Sequence, residues 1–272
     1  MSDRIKLARA DLHFYEEPII SGTRGSGAIF FSGCSLGCIF CQNREISHGG
    51  FGEYVSESEL ADIMLRLKDK GAHNINLVTP THFVPSIIGA IDEARGRGLD
   101  IPIVYNTSSF ESAECMEMLS SKIDVYLPDL KYHTKKSAGR YSYAEILPEI
   151  AKRNIDIMVK SRGPVRLDKD GLITSGVVVR VLLLPAHVAE AKLILKYLYS
   201  RYGDDIYISI MSQYTPTEGL TPPLDRRVTA SEYSELCDYA CDLGIKNAFV
   251  QERESADSLF TPKFDLTGVK PI

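Results

Sequence analysis

The stretch Gly27-Ala-Ile-Phe-Phe-Ser-Gly33, running straight into Cys34-Ser-Leu-Gly-Cys38-Ile-Phe-Cys41, decides how the rest of the chain is read. Its first half is a short apolar run bounded by glycines, the pattern of a buried strand entering a loop. Its second half sets three cysteines at C-x3-C-x2-C spacing. Thiolates suit soft metals and iron–sulfur clusters. A cubane cluster normally takes four cysteines, and the other three here, Cys115, Cys237 and Cys241, lie far off in sequence. One iron would therefore stay open to a ligand, as the fourth position does in a catalytic zinc site. A zinc site with His48 as a further ligand, or three unrelated buried thiols, are the other readings of the same residues.

Downstream of that stretch, apolar runs and amphipathic segments alternate. Runs at 74–79, 101–106, 123–127, 177–184 and 205–210 read as short buried strands, and 245–251 as one more. Between them fall helices at 56–70, 84–95, 111–119, 188–201 and 229–243. Ser56 and Glu59 have capping-box spacing, and Pro85 suits a first helical turn. A helix over 143–153 leads to the run Asp156–Lys160, and Lys169-Asp-Gly171 marks a hairpin tip between 165–168 and 172–175. Residues 1–26 read as a helix or extended arm with a turn. The last twenty residues read as a loop-rich tail. Such alternation predicts an α/β fold with parallel strands covered by helices, six main units curling into a partial (β/α)6 TIM-like barrel. With no internal repeat or linker, one domain over 1–272 is expected, its core about 25–215 and a C-terminal extension at 216–272.

The carboxyl ends of the expected strands each carry polar groups, which is where parallel α/β folds gather their chemistry. In order these are the cysteine loop, Thr79-Pro-Thr81-His82, Asn106-Thr107-Ser108, Asp129-Leu-Lys131, and Gln213-Tyr214, with Arg180 inside an otherwise apolar strand. A buried guanidinium needs a carboxylate, either a ligand's or a structural partner's. Asn106, Thr107 and Ser108 suit ribose hydroxyls, and the same residues serve as turn caps. Cys237 and Cys241 share one helix face and read as buried thiols.

With Phe40 before the third cysteine and Gln42-Asn43 after it, the loop resembles the C-x3-C-x-aromatic-C motif of the radical S-adenosylmethionine (radical SAM) superfamily. The segment Cys38–Asn43 is similar to that of the pyruvate formate-lyase activating enzymes. The resemblance implies a [4Fe–4S] cluster on Cys34, Cys38 and Cys41, and S-adenosylmethionine (SAM) as cofactor. It implies a radical SAM enzyme that cleaves SAM reductively for hydrogen abstraction. Phe40 and Gln42 are placed with SAM, and Asp129 and Lys131 match the family's SAM-contacting Asp-Leu-Lys turn. The Thr79–His82 turn falls at the family's Gly-Gly-Glu position but has no acid. The SAM amino group then goes to backbone carbonyls and Thr81, and His82 either faces SAM or substrate or caps the next helix. Gln213 stands where activating enzymes place an adenine-side or substrate-side residue.

Implied partners are a glycyl radical enzyme or another protein substrate and a flavodoxin- or ferredoxin-type electron donor. The runner-up is a radical SAM enzyme acting on a small molecule; a non-catalytic iron–sulfur or zinc protein is a third reading. Lys131–Lys136, Arg162–Arg166 and Tyr214-Thr-Pro216 read as a rim, and the first two, being basic, suit an acidic protein loop or an anionic small substrate. A net charge of −5 gives no general footprint for nucleic acid. No run approaches eighteen apolar residues, so no membrane span is expected, and Met1–Arg9 carries no secretory core. Six cysteines, three of them clustered, suit a reducing cytoplasm.

Overall fold

This computed structural model describes residues 4–250 and 261–270. The N-terminal segment is extended: β1 (Ile5–His13) runs antiparallel to β2 (Ser26–Phe31), with a four-residue helix α1 (Pro18–Ser21) between them. After the cysteine loop come a short helix α2 (Arg44–Ser47) and β3 (Glu53–Val55), which pairs with the outer edge of β1. Neither β1 nor β3 was legible as a strand, because both sit on an antiparallel flap whose sequence is charged and mixed.

From β2 onward the expected alternation holds. Helix α3 (Glu57–Asp69) starts on the Ser56/Glu59 capping box, and β4 (Ile75–Val78), α4 (Val84–Gly96), β5 (Ile103–Thr107), α5 (Ala113–Leu119) and β6 (Val125–Pro128) follow. Then come α6 (Lys135–Ser142) and α7 (Leu147–Arg162). The run at 156–160 is thus helical: Leu147, Ala151, Ile155 and Met158 are its buried stripe, spaced by three and four. The hairpin forms as read, β7 (Arg166–Leu167) pairing with β8 (Ile173–Leu182). Helix α8 (Val188–Tyr202), β9 (Tyr207–Met211), α9 (Ala230–Asp242) and β10 (Ala248–Val250) end the alternation. Residues 261–270 return along β1, with Leu266 N–H on Ala8 and Ala10 N–H on Thr267.

The strands form one sheet in the order β10-β9-β8-β6-β5-β4-β2-β1-β3, parallel from β2 to β10. The sheet does not close, so the fold is a partial TIM-like barrel of six units, with β10 extending it. Period-2 alternation gives each strand an outer and an inner face. On the outer face Leu77, Tyr105, Tyr126 and Val179 join the main core with the helices. On the inner face Val104, Val125, Leu127 and Val178 pack against Ile19 and Ile20 of α1. So short a helix has no stability of its own. Burying two isoleucines, worth about 1.5–3 kcal/mol each, holds it as a plug inside the sheet's concave face.

Candidate active site

Above the plug, the inner-face residues toward the strands' carboxyl ends line a cavity of about 630 Å³. Alternation puts Asn106, Asp129, Arg180, Leu182, Ser209 and Met211 on that face. All three cysteines line it, each partly buried. The loop that carries them is held by backbone bonds, Gly33 N–H to Ile46 and Ile39 N–H to Tyr141. Gly33 has φ +100°, and a Cβ there would lie 2.7 Å from His82 Nε2, so only glycine fits.

The donor set fits an iron–sulfur cluster. The sulfurs carry a shell of weak hydrogen bonds: Leu36 N–H to Cys34 at 3.5 Å, Ser142 Oγ with Cys38 at 2.9 Å, and Ser47 Oγ with Cys41 at 3.4 Å. Burial pushes the Cys34 thiol up to about 11 and raises Cys38, so iron must displace protons from them. His48 Nδ1 is engaged with Ser47 Oγ at 2.8 Å. Among the described residues no group of three or more His, Cys, Asp or Glu side chains is drawn together as a single-ion site.

Most of the SAM residues expected from sequence meet at this cavity: Phe40, Gln42, Thr79, Asn106, Thr107, Ser108, Asp129, Lys131, Arg180 and Gln213 all line it. Two of their buried polar atoms, Ser108 Oγ and Gln213 Oε1, have no partner among the described residues. Phe40 meets Tyr214 edge-on at 5.8 Å. Gln42 ties the rim together, donating to the Gln213 carbonyl at 3.3 Å and accepting from Thr261 at 3.3 Å.

Thr81 and His82 do not reach the cavity. Thr79 has φ +59°, which turns the chain so that 81–83 form a 3-10 turn beside the sheet. The Thr81 hydroxyl donates to buried Glu111 at 2.8 Å. His82 lies against Phe83, with Nε2 3.3 Å from the Ser32 carbonyl. It supports the floor of the cysteine loop. Thr107 keeps its side chain on Glu111 as well. The basic rim also divides: Arg162 ends α7 and Arg166 pairs with the amino end of β8, away from the site, and Lys135 bonds Glu149. Cys237 is partly buried, but Cys241 is exposed, against the expectation of a buried pair.

Arg180 has a structural partner rather than a free face. Its Nε donates to Asp129 at 2.8 Å, a terminal nitrogen donates to Asn106 at 2.5 Å, and another lies 3.6 Å from Glu16. Lys131 donates to the other Asp129 oxygen. Burial alone would raise the Asp129 pKa; Arg180 and Lys131 outweigh it and hold the carboxyl below the usual range. The sequence reading missed Glu16 and Glu17, which precede the plug and face the cavity. For both, burial wins over Arg180 and raises the pKa. Their one sequence signal is two acids directly before Pro18, at the start of a helix too short to show a period.

Comparison with known proteins supplies the context. Residues 28–167, just over half the chain, match the family described as the radical SAM superfamily. An uncharacterized protein of Methanocaldococcus jannaschii is 28% identical over 240 residues, covering 84% of this chain and 65% of its own length. The chain thus spans somewhat under two thirds of that relative. Among solved structures, SuiB of Streptococcus suis bound to S-adenosylmethionine superposes with TM-score 0.55 at 14% identity, covering 77% of this chain and 45% of its own. SuiB was also solved bound to its precursor peptide SuiA, with TM-score 0.53 at 14% identity, covering 79% and 46%. A radical SAM methyltransferase from Sphaerobacter thermophilus gives TM-score 0.55 at 14% identity, covering 83% and 66%. At that identity the structural likeness speaks for the fold.

Proposed function

The chain belongs to the radical SAM superfamily, and from that premise we propose that it cleaves SAM reductively to abstract hydrogen from a substrate. The observation that carries the reading is the convergence of Cys34, Cys38 and Cys41 on one cavity with two orphaned polar atoms, Ser108 Oγ and Gln213 Oε1. The three thiolates would hold a [4Fe–4S] cluster. A reduced cluster bound there would supply the single electron that splits SAM's sulfonium into methionine and a 5′-deoxyadenosyl radical able to take the substrate hydrogen.

The chain's own residues bind and orient. Ser108 and Gln213 offer hydrogen bonds to the ribose and adenine. Lys131, fixed by Asp129, presents its ammonium beside the thiols, where Cys38 and Lys131 sense each other's charge. The Gln42 clasp to Gln213 and Thr261, with Phe40 against Tyr214, ties the cysteine loop to the opposite rim of the cavity. The similarity of Cys38–Asn43 to activating enzymes supports a glycyl radical enzyme as the partner, served by a flavodoxin or ferredoxin in a reducing cytoplasm. The plug favours a second reading, a smaller group as substrate, because α1 closes the inner face below the cavity.

Anaerobic incubation of the reduced, iron-loaded protein and SAM with each glycyl radical enzyme of the host separates the two. A glycyl doublet in electron paramagnetic resonance supports the partner reading. Turnover of SAM with no doublet from any of them overturns it.

A further inference from the structure

Among the described residues three carboxylates line the cavity, Glu16, Glu17 and Asp129, against two permanent cations, Lys131 and Arg180. Asp129 is the main counterion of both cations. Glu16 has Asn76 at 3.0 Å, Asn106 at 3.4 Å and Arg180 at 3.6 Å. Glu17 stands differently. The residue is 8% exposed and lines the cavity, yet its Oε2 has no hydrogen-bond partner among the described residues. The nitrogens of Arg180 that could answer it are committed to Asp129, Asn106 and Glu16.

Its position is not an accident of a loose loop. The Glu17 carbonyl accepts from Ile20 N–H at 2.7 Å and Ser21 N–H at 3.0 Å, and Ile19 and Ile20 are packed beneath the sheet. The backbone that aims Glu17 is therefore anchored by the plug. Ser209 hydrogen-bonds to this carboxyl and Arg180 acts on it from a distance, yet burial still outweighs both. A buried carboxylate oxygen left unmatched is costly, and a cationic ligand removes that cost while forming a charge-assisted hydrogen bond.

We propose that Glu17, with Glu16 beside it, selects a substrate bearing a cationic end, a primary ammonium or a guanidinium, and seats that end on the cavity floor. The proposal rests on the reading of this cavity as the SAM-cleaving site and adds the chemical class of the molecule attacked. The same chemistry is offered by a free amine and by a basic side chain of a polypeptide, and the probes below separate them.

The test uses the cluster-loaded protein with SAM bound, titrated anaerobically by calorimetry with matched probes. These are 3-phenylpropylammonium, 3-phenylpropanol and 3-phenylpropanoate, and the capped tripeptides Gly-Lys-Gly and Gly-Gln-Gly. The ammonium should bind at least about tenfold tighter than the alcohol, with the carboxylate weakest. Glu17→Gln should shrink the tenfold to under about twofold, and Glu17→Asp should retain part of it. Tighter binding of the tripeptide pair's lysine member than of the free amine marks a polypeptide source, and the reverse marks a small molecule. No cation preference in the parent overturns the proposal without recourse to any variant, as does a preference that Glu17→Gln leaves intact. A preference seen only without SAM gives Glu17 to SAM's own ammonium and overturns it too. Failure of SAM itself to bind, with the Glu17-dependent preference intact, sinks the SAM-cleavage reading and leaves the cation site standing.

Discussion

Asp129 and Glu17 are buried carboxylates on one cavity, and their surroundings treat them in opposite ways. Asp129 sits between Arg180 and Lys131, which hold its pKa below the usual range. Glu17 has Arg180 only at a distance, an oxygen with no partner, and a raised pKa. The first is an internal brace that keeps two strands' ends in register, since Asp129 bridges to Arg180 along the backbone as well. The second is answered in part, by Ser209 and the distant Arg180, with its Oε2 left over. Internal pairing marks what the fold holds for itself, and an orphaned atom marks what it holds for a ligand.

Breaking the brace should give the largest effect. Asp129→Asn leaves two buried cations without their main counterion and should lower unfolding free energy by about 3–5 kcal/mol in urea titrations. A change below about 1 kcal/mol would mean that the brace is looser than its 2.8 Å bond suggests. Next in size, Lys131→Ala should weaken SAM binding about tenfold while leaving iron content unchanged, read by equilibrium dialysis and iron assay. Unchanged SAM affinity would remove Lys131 from the ligand's surroundings.

Glu17→Gln should act in the other direction. Removing a buried and only partly matched charge should raise the stability of the SAM-free protein by about 1 kcal/mol, and a clear loss would show that Glu17 is part of the brace. The pH dependence carries opposite signs for the two groups. The folded pKa of Asp129 is depressed, so its contribution is complete above the unfolded carboxylate pKa and is lost as pH falls through the folded value. The folded pKa of Glu17 is raised, so stability declines as pH rises from the unfolded value through the folded one. Glu17→Gln should flatten that decline, seen in melting temperature against pH. The smallest effect belongs to the rim: Lys135→Ala breaks an exposed pair with Glu149 and should leave stability unchanged within error.

Much of this was legible in the sequence. The six parallel strands are apolar runs, and the carboxyl-end rule alone places Asn106, Asp129, Lys131, Arg180 and Gln213 together, as they are in the cavity. What escaped was set by single backbone angles and by pieces too short for a period. The left-handed turn at Thr79 sends Thr81 to Glu111 and His82 beneath Gly33, which the spacing Thr-Pro-Thr-His does not reveal. The plug of four residues has no helical repeat to detect, and Glu16-Glu17 reads as a solvated turn until the isoleucines after it are seen packed inside the sheet. Arg180 was the most telling residue and the most ambiguous one. A lone guanidinium on an apolar strand demands a carboxylate, and only the fold shows that Asp129 supplies it.

The central claim, that the three-cysteine cavity cleaves SAM, is tested most directly by 5′-deoxyadenosine release. Anaerobically reconstituted protein should hold about four irons. After dithionite reduction it should convert SAM to 5′-deoxyadenosine and methionine, quantified by liquid chromatography, even with no substrate added. Cys34→Ser, Cys38→Ser and Cys41→Ser should each abolish the product, whereas Cys115→Ser and Cys241→Ser should not. An iron-loaded, reduced protein that binds SAM and releases no 5′-deoxyadenosine would contradict the account, as would full product from any of the three loop variants.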